Sequence, residues 1–200
     1  KGTPYDTTPN RDKEIVAEDG KTYELSSEAP KEGADKVSGI VLKGNADVTY
    51  VYREVKTSIT VQYVDEDGNV LQDKVEKKEL STGEKYDTTS DKPVTIIKDG
   101  VLYTIIPTKT QGEETGTTTK KPIEVTYVYH KTITTWVDTN GKELLPSKEG
   151  QHPDTKGTDL PGYKLVSTTT KENGDVTNVY RQLTTTWVDT DNNVLKPKED

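Results

Sequence analysis

The sequence predicts a mainly β protein, built from tandem small modules of antiparallel sheet that form an elongated rod. Three observations support this fold class. Only 28% of the 200 residues are hydrophobic and 31% are charged, strand-like segments recur along the chain, and dipeptides typical of hairpin turns separate them. A composition this polar cannot fill one large core, so several small domains fit better than one large domain.

Alternating side chains identify the strands. In the segment 59–64, Ile59, Val61 and Tyr63 share one face, while Thr60 and Gln62 share the other. This period of two residues is typical of a strand that is buried on one side. Because the chain contains no Phe and 11 Tyr, Tyr is expected to provide most of the aromatic burial, with its hydroxyl free to reach water or a polar partner.

Four dipeptides that tolerate positive φ lie between strand-like segments and predict tight hairpins, which imply antiparallel pairing. They are Asp67-Gly68, Asp99-Gly100, Asn140-Gly141 and Asn173-Gly174. Helical periodicity is weak throughout the chain. Its best stretch, Val75–Leu80, is too short for an independent helix and fits the edge strand of a sheet equally well.

Internal repeats divide the chain into four parts. The sequence Val-Thr-Tyr-Val-Tyr at residues 48–52 returns at 125–129 and more loosely at 176–180, and a Thr-rich strand follows each copy. The number of residues from one Thr-rich strand to the next is not constant, which distinguishes long repeats from a short one. The predicted domains are residues 1–55, a long repeat without its first strand; 56–130, a complete long repeat; 131–181, a short repeat; and 182–200, the first hairpin of a further short repeat.

Charge and composition exclude several classes of function. The net charge is -8, and the 27 Lys and Arg are interspersed with 35 Asp and Glu, which opposes binding to nucleic acid. The absence of Cys excludes disulfides and thiolate metal sites. No stretch approaches the roughly 20 apolar residues of a membrane span, so no membrane insertion is expected. Since Lys1 begins no signal peptide, the chain is expected to be a monomeric segment of a longer protein.

No residue is predicted to be catalytic, to bind a cofactor or to bind a metal. His130 and His152 are the two histidines, and both are expected to be exposed, His130 at a junction between repeats. There is no nucleophile motif and no Gly-rich phosphate loop, so an enzyme is not expected. The Asp-rich turns that begin at Asp65 and Asp189 resemble the start of a calcium loop. They lack the distant Glu that closes an EF-hand, and turn chemistry explains them.

Two tryptophans are the candidate ligand-binding residues. Trp136 and Trp187 could stack on sugar rings if they are exposed, although their position in alternating strands also suits core packing. The Thr-rich segments 57–60 and 117–119 could bond glycan hydroxyls. The simpler interpretation is that these threonines cover a solvent face with residues of good β-propensity.

Motifs in a fixed order resemble the MucBP (mucin-binding protein) domains, repeated modules of Gram-positive cell-wall adhesins. In the long repeat the motifs are Tyr63–Leu71, Gly83–Thr89 and Val125–Tyr129; in the short repeat they are Trp136–Gly141, Leu160–Val166 and Val176–Tyr180. The short repeat contains the Pro-Gly-Tyr sequence of that family. Two features depart from the family: Trp replaces the usual Tyr in the short repeat, and the long repeat lacks the Pro-Gly-Tyr sequence.

The resemblance implies an elongated, largely antiparallel module, which is β-grasp or ubiquitin-like in some relatives. It implies repeats displayed outside the cell on a stalk anchored to peptidoglycan, with glycans of host mucin or another glycoprotein as ligands. A second hypothesis is that the repeats are only a structural stalk, which projects a distal adhesive domain without binding a ligand, since repeat arrays suit a spacer role.

Overall fold

A computed structural model describes residues 2–199 and confirms the mainly β fold class. Within these residues the elements are eighteen strands and three short 3-10 turns. The first nine strands are β1 Thr3–Asp6, β2 Glu14–Val16, β3 Thr22–Leu25, β4 Ser38–Val41, β5 Tyr52–Glu54, β6 Lys56–Asp65, β7 Val75–Ser81, β8 Lys85–Asp87 and β9 Thr95–Lys98. The others are β10 Val101–Ile105, β11 Thr115–Thr117, β12 Ile123–Lys131, β13 Ile133–Asp138, β14 Glu143–Glu149, β15 Tyr163–Thr170, β16 Val176–Gln182, β17 Thr185–Val188 and β18 Val194–Glu199.

The chain folds as two compact units. The first contains the residues up to Val61 together with Lys74–Asp91 and Gly112–Val125, and the second contains Gln62–Asp73, Lys92–Gln111 and the residues from Thr126 onward. These limits do not coincide with the predicted repeats, because they divide β6 and β12, two strands of the five-stranded sheet of the second repeat, whose strand order is β7-β6-β12-β10-β9.

The first unit contains two strand pairs of the same construction. In β1 with β4 the ring of Tyr5 lies against Gly39, and in β8 with β11 the ring of Tyr86 lies against Gly116. Each tyrosine hydroxyl donates to the carbonyl three residues before that glycine, at 2.9 and 3.1 Å. A Cβ at either glycine would lie 3.2 or 3.1 Å from the ring. The sequence Tyr-Asp-Thr-Thr occurs at residues 5–8 and again at 86–89, so a repeated sequence accompanies this repeated local structure.

The second unit contains a four-stranded mixed sheet in the order β14-β13-β16-β15. Strands β13 and β14 form an antiparallel hairpin, as do β15 and β16. The central pair, β13 with β16, is parallel, which hairpin motifs alone do not predict. The strands β17 and β18 form a separate antiparallel pair.

The core of the five-stranded sheet follows the predicted alternation. Ile59, Val61 and Tyr63 of β6 are at most 3% exposed, and Tyr127 and Tyr129 of β12 are fully buried. The Tyr63 and Tyr127 ring centroids lie 6.1 Å apart. The Tyr129 hydroxyl donates to a backbone carbonyl at 2.9 Å, and burial raises its pKa. Tyrosine thus supplies the aromatic part of this core while keeping its polar atom bonded.

The turn dipeptides connect strands as predicted, with one difference. Asp99 and Gly100, with φ of 52° and 79°, join β9 to β10, as a type I′ turn requires. Asp67-Gly68 also lies between two antiparallel strands, β6 and β7, but the regular pairing reaches only to Val61 opposite Val75, and the isolated bridge between Val64 and Val70 lies nearer the turn. The stretch with weak helical character is strand β7, at the edge of its sheet.

Candidate functional site

Trp136 lies in the interior of the short repeat. Its ring is 7% exposed on β13, and its Nε1 donates to the Asp159 carboxylate at 2.9 Å. The alternation along β13, in which Thr134 and Trp136 are buried and Ile133 is exposed, accounts for this position. The ring is therefore a packing element of the short repeat in the structure.

Trp187 occupies the matching position of the last hairpin and is more accessible. Trp136 pairs with Leu145 across its hairpin, and Trp187 pairs with Lys196. Trp187 is half-buried, and the Lys196 ammonium lies 3.5 Å from the ring centroid, a cation–π contact. Of the two predicted ligand-binding residues, Trp187 is therefore the less buried.

The second repeat contains a shallow cleft of about 240 Å³ beside Tyr86. Its apolar surface comes from Ile59, Leu80 and Tyr86. Its charged side chains are of both signs: Lys77, Glu84, Lys85 and Asp87. Apolar surface with a few convergent polar groups is typical of small-ligand sites. The sequence did not predict this cleft, because β6, β7 and the start of β8 are brought together only by the folded sheet.

Two threonines that the sequence placed on a solvent face are buried. Thr57 and Thr118 are 6% and 3% exposed, which corrects that interpretation for both residues, whereas Thr117 and Thr119 are exposed. The Thr118 hydroxyl donates to the Ser81 carbonyl at 2.8 Å and accepts from the Glu84 amide at 2.9 Å. Thr118 is therefore a structural cross-link and not a free hydroxyl for glycans.

The carboxylate of Asp154 organises the loop before β15. Asp154 is 4% exposed and accepts hydrogen bonds from the Gly157 amide at 2.6 Å and the Tyr180 hydroxyl at 2.6 Å. Burial opposes ionisation, but the bonds from Tyr180 and from the backbone amides of residues 156, 157 and 159 outweigh it and lower the pKa of Asp154. The carboxylate is fully occupied by these donors, so its role is structural.

His130 differs from its expected exposed environment. Its side chain is 23% exposed; Nδ1 lies 2.9 Å from a Glu66 carboxylate oxygen, and Nε2 lies 3.0 Å from an Asp175 carboxylate oxygen. Burial lowers the pKa of His130, but the bonds to Glu66 and Asp175 outweigh it and raise the pKa above its ordinary 6.5. Sequence reasoning missed this cluster because Glu66 and Asp175 are distant in sequence.

The Asp-rich turns follow the predicted turn chemistry. The Asp65 carboxylate accepts from the amides of Asp67 and Asn69 at 3.0 and 2.8 Å, and Asp189 accepts in the same way. Within residues 2–199, no three His, Asp or Glu side chains are grouped to hold a metal ion. In the same part of the chain, no helix is long and apolar enough to cross a membrane.

Comparisons with known proteins agree with this architecture. Residues 1–53 and 58–130 match the MucBP domain. Residues 132–182, the short repeat, match the SSSPR-51 domain. The muramidase-released protein of Streptococcus suis is 38% identical over 141 residues. That match covers 68% of this chain and 11% of the relative, so the chain spans about a tenth of the relative's length.

These matches indicate a surface protein of a Gram-positive bacterium. MucBP domains are binding-type repeats and not catalytic domains. Because the match extends over both long repeats, the chain belongs to the MucBP domain family.

Proposed function

We propose that this chain is an extracellular adhesin segment that binds glycans of host mucin or another glycoprotein. The observation that carries the proposal is the MucBP match over residues 1–53 and 58–130. The name of the S. suis relative, muramidase-released protein, supports a cell-wall location, because muramidases cleave peptidoglycan. The proposed division into repeats at residues 55, 130 and 181 is close to the limits of the three matched segments.

Two places are the proposed contacts for glycans. Trp187 offers a half-buried ring with a lysine beside it, and the cleft beside Tyr86 offers an aromatic edge with Lys77 and Lys85. Aromatic faces bind the apolar side of a sugar, and charged groups around them bind hydroxyls or acidic substituents. Trp136 would contribute only if its strand opened, because its ring is 7% exposed.

The experiment measures binding of the 200-residue chain to purified mucin and to a glycan array. Trp187→Ala and Tyr86→Ala are expected each to weaken binding roughly 10-fold if they contact the sugar, since one stacked aromatic contributes about 1.4 kcal/mol. Trp136→Phe, measured alongside these two variants, tests whether the buried ring of Trp136 contributes to binding. Tyr5→Ala is the matched control for Tyr86, because Tyr5 has the same local structure.

If neither Trp187→Ala nor Tyr86→Ala changes binding, the glycan contact lies on another surface. Absence of binding by the parent chain, on an array that detects a known lectin, would contradict the adhesive proposal itself. Circular dichroism of each variant separates a lost contact from a lost fold.

A stalk that spaces a distal adhesive domain is the second candidate, and the contacts between successive repeats favour it. The Thr22 amide, in the first repeat, donates to the Thr82 hydroxyl of the second at 2.6 Å. A Cβ at Gly83 would lie 2.5 Å from the Gly20 carbonyl oxygen, so the two backbones are in close contact. Repeats that interlock in this way suit a rod; small-angle scattering showing a compact particle would contradict both the rod and the stalk.

A further inference from the structure

We propose that His130 is an acid-strengthened clamp, whose protonated imidazole joins Glu66 of the second repeat to Asp175 of the third and so fastens the two repeats together. The inference is independent of glycan binding. It concerns how firmly one repeat holds the next when the surroundings become acidic.

The geometry requires two donors on the imidazole ring. Both atoms that His130 faces are carboxylate oxygens, at 2.9 and 3.0 Å, and an ionised carboxylate only accepts hydrogen bonds. A neutral imidazole has one N–H and one lone pair. Only the imidazolium form can satisfy both contacts, and it adds charge attraction to each of them.

The three residues come from separate elements. Glu66 lies in the turn after β6, His130 lies near the end of β12, and Asp175 lies in the turn between β15 and β16. Asp175 also accepts from the Ile133 amide at 2.9 Å, where the short repeat begins its first strand. The clamp therefore spans the junction between the second and third repeats, where Thr132 is the one residue between β12 and β13.

Of the two carboxylates in the cluster, Asp175 depends more on His130, because Glu66 is also bonded to a lysine. The Lys109 ammonium lies 2.6 Å from the second oxygen of Glu66, so Glu66 has a cation at any pH near neutrality. The second oxygen of Asp175 accepts from the uncharged Asn173 amide at 2.8 Å. Lys131 is paired with Glu149 at 3.1 Å. Loss of the proton from His130 therefore removes the cation bonded to Asp175.

The direction of the pH effect follows from the raised pKa of His130. The stabilisation is complete below the unfolded value of 6.5 and is lost as the pH rises through the folded value. Glu66 and Asp175 remain ionised across this range, because the bonds that they accept lower both of their pKa values. Acid therefore strengthens the clamp until the carboxylates themselves take up protons.

The test follows His130 and Ile133 separately by NMR in the 200-residue chain. The chain has 2 His, so the imidazole signals of His130 are readily assigned. His130 is expected to titrate above 6.5 and to show both ring nitrogens protonated below that midpoint. Hydrogen exchange of the Ile133 amide, corrected for the intrinsic rate, reports on the clamp.

His130→Gln is expected to reduce Ile133 protection roughly 10-fold at about pH 5.5, the effect of one charged hydrogen bond, and to have a smaller effect at about pH 9, where a larger fraction of His130 has lost its proton. His152→Gln, the matched control, is expected to change Ile133 protection equally at the two pH values. Asp175→Asn, which keeps the shape of the side chain, is expected to lower the His130 midpoint.

A His130 midpoint at or below 6.5, or the same loss of Ile133 protection at both pH values in His130→Gln, would overturn the proposal. The midpoint in the unmodified chain decides the question even if the variant does not fold, because it requires no substitution.

Discussion

Single buried polar side chains hold the backbone of these small sheets in place. Thr118, Thr134 and Asp154 are at most 4% exposed, and each bonds backbone groups of a neighbouring loop. A core with few large apolar residues cannot fix its loops by packing alone. Removal of one of these polar groups leaves its backbone partners buried and without a bond, which costs more than the net value of the bond itself.

Asp154→Ala is expected to destabilise the chain by about 3 kcal/mol, because Tyr180 and several backbone amides lose their acceptor. The measurement is urea unfolding at neutral pH, followed by tryptophan fluorescence. Glu172→Ala, at an exposed carboxylate of the same repeat, is the control and is expected to change the free energy by less than about 0.5 kcal/mol. Equal effects of the two substitutions would contradict the structural role of Asp154.

Thr118→Val keeps the size of the side chain and removes the hydroxyl that bonds Ser81 and Glu84. We expect a loss of about 2 kcal/mol in the free energy of unfolding, since two buried backbone groups lose their partner. Thr117→Val, one residue earlier on an exposed position, is expected to be neutral or slightly stabilising because Val suits a strand. A Thr118→Val protein as stable as the parent would show that water replaces the lost bonds.

At the scale of elements, local patterns were sufficient where the structure depends on neighbours in sequence. Alternation identified β6, the repeated Val-Thr-Tyr-Val-Tyr sequence marked β12, and the Asp99-Gly100 dipeptide identified the β9–β10 hairpin. The parallel pairing of β13 with β16 was not predictable in this way, because no turn connects them and neither strand encodes its partner. The burial of Thr57 was missed for a similar reason: its acceptor is the carbonyl of Lys121, which is distant in sequence.

The loop at Gly83 gives a test at this scale. Gly83 has φ of 82°, and a Cβ there would lie 2.5 Å from the Gly20 oxygen. Gly68 has φ of 86°, and a Cβ at Gly68 would have no neighbouring atom within 4 Å. Gly68→Ala is therefore expected to lower the free energy of unfolding by about 1 kcal/mol, the effect of the left-handed conformation alone. Gly83→Ala is expected to lower it by roughly twice that or more, because its Cβ also meets the Gly20 backbone. Urea unfolding compares them, and equal losses would show that the close approach of the two backbones contributes nothing.

For the molecule as a whole, the candidate site was only partly predictable. The sequence identified Trp187 and the repeats, because they recur as recognisable strings. It did not reveal the cleft beside Tyr86 or the cluster of Glu66, His130 and Asp175, since these form only when distant elements pair. Functional groups assembled across repeats therefore need the folded sheet to be recognised.

Acid is expected to destabilise the whole chain through its buried carboxylates. Asp65, Asp154 and Asp175 are 5%, 4% and 9% exposed; burial alone would raise the pKa of each, but the hydrogen bonds that they accept lower it below 3.8. Their stabilisation is present above the unfolded value and is lost as the pH falls through the folded values. The urea midpoint is therefore expected to fall between about pH 6 and about pH 2.5.

The urea midpoint of Asp154→Asn should fall less over this pH range than that of the parent chain, because one of the titrating groups is gone. Equal urea midpoints at the two pH values in the parent chain would contradict the stabilising role of the buried carboxylates. The His130 clamp acts in the opposite direction, since its stabilisation is lost as the pH rises through the raised pKa of His130. The two effects together place the greatest stability in mildly acidic conditions, between the titration of the carboxylates and that of the imidazole.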